Sequence, residues 1–86
     1  MKKIPKKELD KVVELSRSYW ESGGDTHILQ SRIAIAKEIE AQTGIDWLTI
    51  IDFVDSIVKT SGLFKDASNE MIYILLRVLG WEVVDE

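Results

Sequence analysis

The residue types that carry most protein chemistry are sparse here: one histidine, no cysteine, and fifteen carboxylates spread over 86 residues. His27 follows Asp25 in "DTH", a pair able to supply two metal ligands. A metal site needs three or four, and no other residue is committed by its spacing. On a helical wheel His27 falls opposite the apolar face, so it reads as an exposed first-turn histidine. "DASNE" alternates oxygens at Asp66, Ser68 and Glu70 but lacks the glycine and distal glutamate of a calcium loop, and reads as a helix cap. Carboxylates and serines could still meet in space. There is, however, no glycine-rich phosphate loop, no nucleophile elbow and no histidine-based pair. The expectation is a protein that is not an enzyme, with no catalytic residue, no metal and no cofactor. The lack of cysteine excludes disulfides, thiolate zinc sites and a cysteine nucleophile; it leaves the fold to packing alone and fits a reducing cytoplasm.

Arg32 is the charged residue whose position asks most of its surroundings. It lies within the apolar face of its helix, flanked on the wheel by Ile28, Ala36 and Ile39. A buried guanidinium there costs several kcal/mol unless it is paired. Its stem can lie over the core while the head snorkels out or meets an internal carboxylate. Otherwise the arginine is presented to a partner or a small anion, which makes Arg32 a candidate interaction residue.

Eighty-six residues surround one core and bury roughly 60–65% of the unfolded surface, so a single domain over 1–86 is expected. A composition that is 45% hydrophobic and 30% charged, with one proline, belongs to an ordered globular chain. Lys2, Lys3, Lys6 and Lys7 precede any acid; beyond them seven basic residues face fifteen acidic ones, a net charge of −8. That surface repels phosphate backbones over most of its area, keeps a small domain in solution, and suits a cationic partner. "MKKIPKKELD" has the positive flank of a secretory leader without its apolar stretch, since Glu8, Asp10 and Lys11 follow at once. "MIYILL" is halted by Arg77, far short of the ~20 residues that span a bilayer, so no membrane segment is expected.

Punctuation and period predict four helices. Pro5 suits a first helical turn, and Leu9, Val12, Val13, Leu15, Tyr19 and Trp20 lie on one side of a helix over about 5–21, with Asp10, Glu14, Arg17 and Glu21 opposite. "SGGD" ends it, Gly23 or Gly24 turning left-handed and Asp25 capping a second helix over about 26–43. That helix turns Ile28, Leu29, Ile35, Ala36 and Ile39 inward and stops at Gly44. Asp46 caps a third, about 47–61, with Ile45 stapled to Ile50; Trp47, Ile50, Ile51, Val54, Ile57 and Val58 face in, and Asp55 and Lys59 form an i,i+4 pair. Gly62 closes it, "LFKDASNE" connects, and Asp66 or Ser68 caps a fourth over about 69–79. Gly80 ends that helix, Trp81 folds back onto Leu76, and "WEVV" packs as an extended tail without a partner strand. The fold class is therefore all-α: a compact four-helix domain with a short extended C-terminal tail.

"IAKEIEAQTGIDWLTIIDFV", residues 35–54, resembles the helix-turn-helix motif, with Ile39, Gly44, Ile45, Ile50 and Phe53 at its apolar and turn positions. Glu40 departs from it, standing where a small residue lets the helices close. The outer side of the second helix offers Thr49, Asp52, Asp55 and Ser56 in place of the basic and amide groups that read base edges. A helical corner is expected, and duplex DNA is not expected as a partner.

The fourth helix is apolar over an arc of about 200°, wider than one small bundle normally hides. With Trp81 on the Leu76 edge, Ile74 and Val78 are the candidates to stay open, unless "LFKDASNE" or "EVV" folds over them. These features point to a small acidic protein-binding domain of a bacterial or phage cytoplasm, acting by self-association, such as a homodimer, or on another protein. Two alternatives stay open: a nucleic-acid-associated regulator using the corner and the N-terminal lysines, and an acidic inhibitor of the immunity-protein or nucleic-acid-mimic kind.

Overall fold

Helix ends follow local chemistry in the computed structural model, which describes residues 2–60 and 65–85, with the backbone alone at 65–68. The elements run β1 Lys2–Pro5, α1 Lys6–Glu21, α2 Thr26–Thr43, α3 Trp47–Thr60, α4 Lys65–Val78 and β2 Trp81–Val84. The domain is all-α apart from one short strand pair. Asp25 caps α2, its carboxylate accepting from the His27 and Ile28 backbone N–H groups at 2.8 and 3.3 Å. Gly44 ends α2 at φ 77°, a left-handed conformation that any side chain would strain.

Two boundaries differ from expectation. Pro5 closes β1 and stands as the N-cap of α1 instead of opening the helix. α4 starts at Lys65, so Asp66 and Ser68 lie in its first turn and not ahead of it. Cap-forming residues are also common one turn into a helix, where type alone does not place the boundary. Gly62, expected to close α3, lies outside the described residues.

The extended tail has a partner after all. β2 pairs in parallel with β1, in the register Lys2–Trp81, Lys3–Glu82, Ile4–Val83 and Pro5–Val84. All four helices lie between the two strands in the chain, as a parallel pair requires a long crossover. Ile4 is fully buried by this pairing, and Val83 packs against the same core.

Each helix contributes to one apolar cluster: Leu9, Val12 and Val13 from α1, Ala36 and Ile39 from α2, Ile50, Ile51, Val54, Ile57 and Val58 from α3, Ile72 and Leu76 from α4. α3 turns in the face that its period predicts. The Cα radius of gyration is 12.0 Å, matching the ~12 Å of a compact chain of this length. A crevice of about 10 Å³ lies among residues that include Ile4, Leu9, Leu76 and Trp81. Trp81 packs against the core cluster that includes Leu76, and the two line this crevice together.

α1 departs from its expected wheel at two residues, Arg17 and Trp20. Arg17 is 8% exposed, not outward, and its Nη2 donates to Asn69 Oδ1 at 2.9 Å, joining α1 to α4. Trp20 shares the arc of the core residues but lies in the last turn and stays exposed, edge-on to Tyr19 and beneath Lys59 Nζ at 4.5 Å from its ring centre.

Candidate interaction surface

Arg32 points into the bundle and is 4% exposed. Its Nη1 donates to Asp55 Oδ1 at 2.6 Å and to Ser16 Oγ at 3.3 Å, and its guanidinium lies 4.3 Å from the centre of the Tyr19 ring. Ser16 and Tyr19, three apart on α1, bracket it from one side while Asp55 of α3 supplies the countercharge. Charge, hydrogen bonding and a cation–π contact together offset the desolvation of the guanidinium. Arg32 Nε has no hydrogen-bond partner among the described residues, so the site is not fully satisfied. Asp55 thus turns inward to Arg32 and not to Lys59, whose ammonium sits over Trp20.

The corner between α2 and α3 explains the misplaced acid of its motif. Glu40 Oε2 accepts the Trp47 backbone N–H at 2.9 Å, satisfying a free donor at the start of α3 across the turn. Asp46, expected to do this, instead accepts the Thr49 hydroxyl at 3.4 Å. The outer face of α3 presents Thr49, Asp52 and Ser56, with Lys59 at its far end. The N-terminal lysines are partly offset: Lys3 stands in register with Glu82, and Lys6 Nζ is 3.8 Å from Asp85.

The described contacts that anchor α4 lie along one side. Ile72 and Leu76 are buried, and the Tyr73 hydroxyl donates to Asp10 of α1. Burial raises the Tyr73 phenol above its ordinary value of 10.0, and the hydrogen bond to Asp10 and the negative charges of Asp10, Glu70 and Asp85 raise it further. Lys6 Nζ lies 5.9 Å from the Tyr73 ring centre, tying the same side of α4 to the start of α1.

The other side of α4 is apolar and exposed. Ile74 is 61% exposed and Val78 78%, and Met71, Leu75 and Leu79 are exposed beside them. At about 100° per residue, Met71, Ile74, Leu75 and Val78 fall within an arc of roughly 100°. Glu82 and Val83 of β2 border this face, sharing a shallow groove with Tyr73, Ile74 and Arg77, without covering Ile74. Leu63 and Phe64, the start of the other segment able to fold over it, lie outside the described residues. Thus the structure leaves Ile74 and Val78 at the surface and places Arg32 in the interior, about as different as two candidate sites can be.

Among the described residues, no group of three or more histidine, aspartate or glutamate side chains is gathered as a metal site. No helix there is long and apolar enough to cross a membrane. Comparison with protein-family models, curated proteins and solved structures returns no match.

Proposed function

We propose that this is a small acidic protein-binding domain of the cytoplasm, not an enzyme, whose contact surface is the open face of α4. The observation that carries this reading is the exposure of Ile74 and Val78 within an apolar stripe that includes Met71 and Leu75. Burying such side chains against a partner contributes about 25 cal/mol per Å² of apolar surface removed from water. Contiguous apolar surface of this kind marks binding sites on folded proteins. Cysteine-free composition suits a reducing compartment.

The test combines solution mass by light scattering with capture of partners from the native host, for wild type and Ile74→Glu. The expected result is association by wild type and its loss in a variant whose far-UV circular dichroism remains helical. A monomeric wild type that captures nothing, and unfolds on this substitution, would assign the face to the core.

A further inference from the structure

The chemistry flanking the open face of α4 identifies a specific occupant, given the reading of that face as a contact surface. Met71, Ile74, Leu75 and Val78 stand at i, i+3, i+4 and i+7, the spacing with which one helix forms a seam with another. Glu70 and Arg77 are both exposed, seven residues apart, on the same edge of that seam. Neither makes an ion pair among the described residues, and two helical turns hold them about 10 Å apart on their own helix. Leu75 borders the opposite edge.

This charge pattern is self-complementary in one orientation. When an identical helix is laid antiparallel, with Ile74 facing Met71 of the other copy, Glu70 comes opposite Arg77 and Arg77 opposite Glu70. Two opposite-charge pairs then form along one edge, related by the two-fold axis of an isologous dimer. A parallel pairing instead sets Glu70 beside Leu75 of the other helix, leaving both charges without partners. We propose that α4 packs antiparallel against α4 of a second copy of this chain, with crossed Glu70–Arg77 pairs fixing the register.

Sedimentation equilibrium at low salt tests this with Glu70→Arg, Arg77→Glu and the double variant E70R/R77E. Both positions are exposed, so the fold is expected to remain intact, with circular dichroism as the check. Each single variant places like charges together twice and is expected to self-associate about tenfold or more weakly than wild type. Mixing the two single variants, or combining both changes in one chain, restores opposite pairs and is expected to restore the dimer. A wild type that is monomeric up to millimolar concentration overturns the inference, while leaving α4 free to bind a different protein. A dimer abolished by Ile74→Glu but indifferent to the charge exchange overturns the antiparallel register alone. A dimer that survives Ile74→Glu overturns both this inference and the assignment of the face.

Discussion

Arg32 illustrates how much one misplaced charge reveals. Its position on an apolar face demands a countercharge, and Asp55 provides it at 2.6 Å. The demand is visible in the sequence; the identity of the partner is not, because Asp55 also fits an exposed pair with Lys59 four residues on. Arg32→Met is expected to destabilise the fold by about 3 kcal/mol in urea unfolding, since it strands a carboxylate at a mostly buried site. Adding Asp55→Leu should recover most of that loss; a double variant as weak as the single would show that packing around Arg32, not its charge, is what matters. Arg17 carries the same lesson in reverse. It continues Leu9 and Val13 at four-residue spacing, so the signal of burial is present, but its residue type conceals it. At Tyr73 the folded-state value lies above the unfolded value, so its stabilising contribution is fully present below pH 10.0 and is lost as pH rises through the raised value. The stability gap between wild type and Tyr73→Phe should therefore narrow above about pH 10; a constant gap would contradict the assignment.

Helices with strong local punctuation are legible, and contacts between distant segments are not. Asp25 and Gly44 fix the ends of α2 through their own side chain and backbone, so α2 is found at its expected span. β1 is different. It has four residues, two of them lysine, with no apolar alternation, and its partner lies at the other end of the chain. Pairing across that separation leaves no local periodicity to read. Glu40 is intermediate: it is conspicuous as a departure from the corner motif, yet its hydrogen bond to Trp47 depends on how closely α2 and α3 meet. Glu40→Ala should cost about 1 kcal/mol, the usual loss when a helix N-terminal donor loses its acceptor. An unchanged unfolding midpoint would show that water replaces the carboxylate without loss. The open side of α4 is also legible, because its apolar arc exceeds what one packing face absorbs; Ile74 and Val78 are left outside as expected, and Met71, Leu75 and Leu79 are exposed with them.

On the scale of the molecule, acidity and an exposed apolar stripe act together. The net charge of −4 understates the body, because four lysines cluster at the N-terminus where Glu82 and Asp85 partly offset them. Duplex DNA should therefore show no useful binding in a fluorescence-anisotropy titration at about 0.15 M salt; micromolar binding with a steep salt slope, abolished by changes in α3, would contradict this. The central claim concerns the face of α4, and hydroxyl-radical footprinting reads its side chains directly. In dilute protein shown by light scattering to be monomeric, Ile74 and Val78 should label strongly, and in the associated protein, with itself or a captured partner, they should be protected while Thr49 and Asp52 on α3 stay unchanged. Equal labelling of Ile74 and Val78 in the two states, or protection already complete in the dilute monomer, would contradict the claim.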